Sequence, residues 1–413
     1  MPPRSRTYGW YILGLLATVN SLNYANRNVV FPVYDDLRAA FAFSNAELGL
    51  LGTAFMLSHA LVTVPIGWAG DRLDRRKIMA LGLVVWSLAA LASALAVGLG
   101  SMLISRALVG VGTATCVPIA NALLADVFPQ EQKARTISIF SVGVILGGGI
   151  GFAVGAMLGF PYGFVALALP GIALALLVYR LDVPPSSREP TSDVSVRQLW
   201  RDVRTLLRIP TMRWLVIGGV LMAFSAGGYV AWFADFVANT KGYTMKEATG
   251  IFGSVALTGG LAGVVTGGIV GDRLYRRVAY GRLAAISMGF AIAVPFALVA
   301  LFVDGALFLP ASWLMMFFIT WYHGPMAAVV DDLVSEDWAA TGQAAFILLI
   351  HLVGTAPSSY VVGVLADATN RRYALLAPTI ALGLAALAVA AGFRTVERDC
   401  QAASVGEGEQ TAL

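Results

Sequence analysis

Two arginines, Arg27 and Arg106, each stand inside a long apolar stretch of this sequence. A charge on a spanning helix costs about 2.5–3.5 kcal/mol at mid-membrane on insertion scales. Each guanidinium must therefore face protein or a watery cavity. Asn20, Asn23 and Arg27, spaced i, i+3, i+7, share one helical face, and Arg106, Gly110 and Thr113 share another. A guanidinium in a water-lined cleft suits bidentate binding of phosphate or carboxylate. The structural alternative for Arg27 is a pair with an acid or with carbonyls. Arg106 is expected near the cytoplasmic end of its span, where it could instead staple an inner gate.

Ser225, Gly228, Trp232 and Asp235 also align on one helical face. Asp235 lies toward the outer end of its span, as does Arg27. A pair between them would close an outer gate that an anionic substrate could open. The alternative is a solvated acid at a helix end. His59, His323 and His351 are the three histidines, each inside a span. With no i, i+4 His partner and no local Cys or Asp cluster, they make no metal site. His323 precedes Gly324-Pro325, a kink that frees carbonyls, and His351, Thr355 and Ser358 share a face. The substrate-facing set expected is Asn23, Arg27, Arg106, Thr113, Trp232, His323 and His351.

The chemistry of an enzyme is missing. A membrane-embedded hydrolase or acyltransferase needs a nucleophile with a base, paired acids or a metal, and Tyr34-Asp35 has no Gly-x-Gly-Asp companion. A channel needs a selectivity element repeated around a pore, and an ATP-driven pump needs a nucleotide motif. A carrier without cofactor, catalytic group or metal is what remains. Its expected partners are a small-molecule or lipid substrate and the bilayer, with no nucleic acid, and the chain is expected to be a monomer.

Spanning helices must position these residues. The chain has 413 residues, 58% hydrophobic and 13% charged, with mean hydropathy +0.76; soluble domains are about a quarter charged. Spans of roughly 20 apolar residues are read at 10–33, 47–69, 77–98, 101–125, 134–159, 162–180, 213–237, 247–270, 279–302, 308–330, 340–365 and 373–393. Of 28 Lys and Arg, only Arg38, Lys241, Lys246, Arg371 and Arg372 fall in one set of alternate loops. That asymmetry puts both termini in the cytoplasm of a cell (plasma or inner) membrane protein. Arg4-Ser5-Arg6 before an apolar run resembles a secretory signal, but no small-residue cleavage site follows.

The chain repeats itself. Gly70-Asp71-Arg72-Leu73-Asp74-Arg75-Arg76 returns as Gly271-Asp272-Arg273-Leu274-Tyr275-Arg276-Arg277, 201 residues later with one mismatch. A weaker echo relates Asp126-Val127-Phe128-Pro129 to Asp332-Leu333-Val334-Ser335. This predicts an all-α membrane protein of two pseudo-symmetric six-helix bundles, 1–181 and 213–395, with the substrate site between them. Residues 182–212 would be a cytoplasmic linker, breaking helix at Pro184-Pro185. It then forms an amphipathic helix whose Arg197, Arg201, Arg204 and Arg208 lie near anionic headgroups. Residues 396–413 would be a disordered tail. Asp71, Arg72, Arg75, Asp272 and Arg273 are gating candidates, since a carboxylate can cap a helix in one state and release it in the other. Gly143, Gly147, Gly151 and Gly155 in one bundle, and Gly259, Gly263, Gly267 and Gly271 in the other, keep a period of four. They predict smooth grooves for close backbone approach, as static packing or as a shared surface on which the bundles rock, two roles that are compatible.

Gly67-x-Ala69-Gly70-Asp71-Arg72-Leu73-x-Arg75-Arg76-Lys77 and Arg106-x-x-x-Gly110-x-Gly112 resemble signatures of the major facilitator superfamily. The resemblance implies twelve helices, alternating access and a cavity lined by helices 1, 4, 7 and 10. The chain looks most like the Spinster branch, whose members move lysophospholipids and sphingoid phosphates. Asn23-Tyr24-x-x-Arg27, Pro118, Phe224-Ser225-x-Gly227-Gly228-x-x-x-Trp232, Gly324-Pro325 and His351-Leu352-x-Gly354-x-Ala356-Pro357-Ser358 carry that likeness. The anion:cation symporter branch shares the patterns of helices 1 and 4 but less of helices 7, 10 and 11. Both branches place Asp before the helix 1 arginine and Glu in helix 4, where this chain has Asn26 and Thr113. The Spinster arginine after helix 10 is replaced by Trp338-Ala339-Ala340. Neither Asn nor Thr titrates, so the expectation is a uniporter or exchanger. If protons are coupled, Asp235 or a histidine must carry them.

Overall fold

The computed structural model describes residues 6–129, 132–183 and 196–410, and within them every regular element is helical. The chain folds as two compact units: residues up to Asp193 together with Tyr243–Gly250, and Val194–Gly242 with Ile251 onward. Among the described residues, eleven helical segments are long and apolar enough to cross a membrane. The twelfth span is α1 (Arg6–Asn28), whose Asn20, Asn23, Asn26, Arg27 and Asn28 lower its hydropathy below theirs. The twelve-span expectation holds in number. The first span stops earlier than expected, at Asn28, because a short helix α2 (Tyr34–Phe41) follows.

In the first unit the remaining helices are α3 (Asn45–Arg72), α4 (Arg75–Ala94), α5 (Leu99–Thr113), α6 (Cys116–Val127), α7 (Lys133–Leu158) and α8 (Tyr162–Tyr179). Helix α1 packs along α7, α4 along α8, and α5 against both α3 and α4. The second unit holds α9 (Val196–Leu206), α10 (Pro210–Lys241), α11 (Met245–Tyr275), α12 (Gly281–Phe302), α13 (Phe308–Ile319), α14 (His323–Asp332) and α15 (Glu336–Leu349). A π-helical turn (Ile350–Thr355), α16 (Ala356–Ala368), α17 (Arg371–Ala374), α18 (Leu376–Ala391) and α19 (Val396–Gln410) complete it. There α10 packs along the π-helical turn and α16, and α12 along α18 and α13.

Helix starts recur in both copies. Ser44 and Glu47 form a capping box at α3, each side chain meeting the other's backbone N–H (2.8 and 3.2 Å). Thr244 and Glu247 do the same at α11 (2.8 and 3.3 Å). Each box satisfies two N–H groups that a helix start would leave unpaired.

Three spans are broken, each just ahead of a proline. Pro118, Pro325 and Pro357 lack the N–H that Ala114, Trp321 and Val353 would otherwise receive four residues earlier. The chain responds with the α5–α6 break, a 3₁₀ turn at Thr320–Tyr322 and the π-helical turn. Such interruptions recur at functional sites.

Two expectations about the connections are corrected. Helix α9 belongs to the second unit: Val203 and Leu206 are buried in its core beside Val334 and Phe346. That apolar face is therefore met by protein rather than lipid, while Trp200, Arg201, Arg204 and Arg208 are exposed. The side chain of Arg197 lies outside the described residues. Of the tail expected to be disordered, Val396–Gln410 form α19, and residues 411–413 lie outside the described residues. Asp399 accepts hydrogen bonds from the Thr211 N–H (2.9 Å) and hydroxyl (2.7 Å), tying α19 to the start of α10. Burial pushes the Asp399 carboxyl up, but those bonds and Arg398 outweigh it and hold it below the usual carboxylate range.

Candidate functional site

In the first unit the residues singled out by sequence come together. Gly110 and Gly112 let α5 slip between two neighbours. A side chain at Gly110 would collide with the Phe55 carbonyl and Ser58 of α3, and one at Gly112 would lie 2.7 Å from the Gly82 carbonyl of α4. This close approach brings Thr113, the last residue of α5, to His59 of α3, Nδ1 to Oγ1 3.2 Å. Asn23 of α1 donates to the Thr113 carbonyl at 3.4 Å. The His59 ring stacks on Phe55 (5.8 Å), and the Arg106 guanidinium lies 5.2 Å from that same ring. Asn23, His59, Thr113, Phe55 and Arg106 thus form one continuous polar and aromatic chain. His59 belongs in it, although its spacing on α3 does not mark it.

Arg106 is 1% exposed. It donates to the carbonyls of Asn26 (3.1 Å) and Arg27 (3.2 Å), the last turn of α1, and its Nε is buried without a partner. Carbonyls at a helix C-terminus attract a cation, so Arg106 holds the end of α1 in place. Arg27 is half-buried, its guanidinium 5.7 Å from the Tyr24 ring. Among the described residues neither arginine has a carboxylate partner. Arg106 lies at the opposite end from the one expected. Trp10, near the start of α1, meets Phe128 edge-on beside Asp126, whereas Arg106 meets the finish of α1. It cannot staple the end that carries Gly70–Arg76.

At that other end Arg75, buried, donates to the Gly70 carbonyl (2.9 Å) and pairs with Asp126. Arg76 pairs with Asp74 at 2.9 Å. A hydrogen bond from Arg76 holds the Asp74 carboxyl, which caps α4, below its usual range. Arg72 lies over the Trp68 ring at 4.4 Å, and the Asp71 side chain lies outside the described residues. In the second unit Asp332 answers as Asp126 does, but its partner is Arg282 of α12 rather than repeat-related Arg276. Arg282 also lies 3.8 Å from Asp272 and over Tyr275 at 4.1 Å. Arg273 is exposed. No sequence signal singled out Arg282, which lies beyond the repeated heptad.

The second unit corrects further expectations. The Asp235 side chain is fully buried, and Arg371 of α17 donates to it at 2.6 Å, with Asn239 at 3.3 Å. It is neither a solvated acid nor dependent on Arg27 for a cation. Trp232 is 2% exposed and donates its indole N–H to the Ser359 carbonyl (2.9 Å). His351 lies in the π-helical turn with Nδ1 3.2 Å from the Thr355 hydroxyl, and Ser358 donates to the Thr355 carbonyl at 2.7 Å. His323, at the first position of α14, is exposed and stacks on Tyr322 at 4.2 Å.

The glycine stripes face inward, within each unit. Side chains at Gly143, Gly147, Gly151 and Gly155 would strike α1 at Ala17, Ser21 and Ala25, and Val29 with Pro32 just past its end. Those at Gly259, Gly263, Gly267 and Gly271 would strike Trp313, Phe317, Trp321 and Pro325. These contacts are helix packing inside each bundle. Among the described residues no group of His, Cys, Asp and Glu could hold a metal.

Comparison with known proteins agrees with this architecture. The description matching residues 16–354 is the Major Facilitator Superfamily. Protein spinster homolog 3 of Danio rerio is 27% identical over 403 residues, covering 89% of this chain and 78% of the relative. Protein spinster homolog 1 of Homo sapiens is 29% identical over 390 residues, covering 88% and 74%. The crystal structure of a bacterial homolog to the human lysosomal transporter Spinster, inward-facing and unoccupied, superposes with TM-score 0.83 at 23% identity, covering 96% of this chain and 99% of that one. The nucleoside transporter NupG superposes with TM-score 0.77 at 14% identity, covering 93% and 99%. At those identities the two structures share the fold.

Proposed function

The chain belongs to the Major Facilitator Superfamily, a family of membrane transporters, and on that premise we propose that it carries an amphiphilic organic anion by alternating access. A single-chain, lysophospholipid-like lipid is the substrate class. The observation that carries this reading is the uncompensated charge of the first unit. Arg27 and the buried Arg106 stand side by side with no carboxylate among the described residues. Two desolvated cations without an acid favour an incoming anion, and the planar fork of Arg27 suits phosphate. Asn23, His59 and Thr113 add hydrogen-bonding groups beside them. Six-helix bundles at 1–181 and 213–395, cytoplasmic termini in a plasma or inner membrane, and a monomeric state complete the proposal.

Flux in proteoliposomes tests it. Lysophosphatidic acid should cross faster than uncharged monoacylglycerol, and an imposed pH gradient should not drive its accumulation, since Asn26 and Thr113 carry no proton. Equal flux of the two lipids would refute anion recognition. Gradient-driven accumulation would refute uniport while leaving the substrate class standing. Preference for a chainless sugar acid would move the assignment to the organic-anion symporter reading.

A further inference from the structure

On the flank of the first unit, α4 and α8 run side by side in opposite directions and leave an open groove of about 490 Å³. Its floor is made by two buried small residues, Ala80 and Ala175, and its walls by Leu81 (64% exposed) and Leu176 (50% exposed). Small side chains below and branched ones above make an apolar trough. One end is lined by Lys77 of α4 and Tyr179 of α8, the two groove residues that carry a polar group. That end is fixed by Arg76, which donates to the Leu181 carbonyl at 2.7 Å. Arg76 itself is committed to Asp74, and Asp182 acts on it electrostatically. The Lys77 side chain, exposed, has no ion-pair partner among the described residues.

We propose that this groove is a binding site for one anionic phospholipid of the surrounding bilayer, an acyl chain in the trough and the phosphate on Lys77. In a chain that crosses the membrane, an apolar trough between two spanning helices faces hydrocarbon, and an acyl chain is the matching occupant. Headgroup choice comes from the end. A lysine at the membrane surface attracts anionic lipid by about fivefold per charge, its methylene stem lies along the trough, and a tyrosine belongs at headgroup depth. Arg75 and Asp74 stand at this same end, and Arg27 and Arg106 at the other. The lipid site is therefore distinct from the arginine cluster and does not rest on the substrate assigned to it.

Native mass spectrometry of the full-length, delipidated protein tests this. It is titrated in detergent with dioleoylphosphatidylglycerol, dioleoylphosphatidylcholine or glycerol 3-phosphate. One phosphatidylglycerol should be retained about fivefold more tightly than phosphatidylcholine, and glycerol 3-phosphate not at all. Lys77→Ala, a surface change, should reduce phosphatidylglycerol to the phosphatidylcholine level, and Lys77→Glu should lower it further. Equal retention of the two lipids by the wild type overturns the proposal, as does an unchanged preference in Lys77→Ala. Loss of the preference in Arg27→Ala with its survival in Lys77→Ala would also overturn it, by assigning the lipid to the arginine cluster.

Discussion

The two units meet the charges buried within their spanning helices differently, although the first also pairs the buried Arg75 with Asp126 at one end. In the first, Arg106 is almost wholly buried and held only by the carbonyls of Asn26 and Arg27, with Arg27 beside it. In the second, the fully buried carboxylate of Asp235 receives a direct bond from Arg371. Nearby, Lys241 is pinned to Asp304 at 2.5 Å and to the Val303 carbonyl at 2.9 Å. An answered charge contributes rigidity. An unanswered one keeps an electrostatic demand that a ligand can meet. The duplicated bundle thus leaves a cation pair without an acid in one copy, the feature on which the proposed anion binding rests, and closes its polar network in the other.

The largest test of that contrast is Arg27→Ala, which should reduce flux to background while insertion and thermal stability stay near wild type. Arg27→Lys should recover little, because a point charge lacks the planar fork. Undiminished flux in a well-expressed Arg27→Ala protein would remove the arginine from the site. Next comes Arg371→Ala, which strands a buried carboxylate and should destabilise by about 3–5 kcal/mol, read from thermal unfolding in detergent. The Asp235→Asn/Arg371→Ala double variant should regain most of that loss. No rescue would mean the two residues are not coupled.

Gly147→Leu should cost about 1–3 kcal/mol by overpacking α7 against the Ser21 carbonyl of α1. Gly263→Leu should do the same against Phe317. Normal stability with lost flux would return these glycines to a sliding surface. The smallest effect belongs to the polar end of the first unit. The Asp74 carboxyl is held low by Arg76, so its contribution is present above the unfolded carboxyl's pKa and lost as pH falls through the lower folded value. Asp74→Ala should lower stability by about 1 kcal/mol at neutral pH, as for a helix cap, and the difference from wild type should vanish in acid. A difference that persists in acid would exclude the carboxylate as its source.

Fold class was legible because it follows from one-dimensional quantities. Apolar runs of spanning length, charge asymmetry among loops and a heptad returning at half the chain need no knowledge of what touches what. The two capping boxes were equally written in local residues; the proline-linked breaks were only partly so, since Pro65, Pro170 and Pro295 sit inside unbroken helices. Asn23, Arg27, Arg106 and Thr113 could be chosen because buried polarity is costly in an apolar helix, and the structure brings them together on α1 and α5. What the sequence alone could not decide was partnership. Asp235 pairs with Arg371, Asp332 with Arg282 and Thr113 with His59, each choice set by the rotation of a helix about its axis and the closeness of its neighbour. The two glycine stripes look like copies, yet one serves α7 on α1 and the other α11 on α13 and α14. A period of four tells that a helix has a smooth side; only tertiary packing determines which helix lies against it.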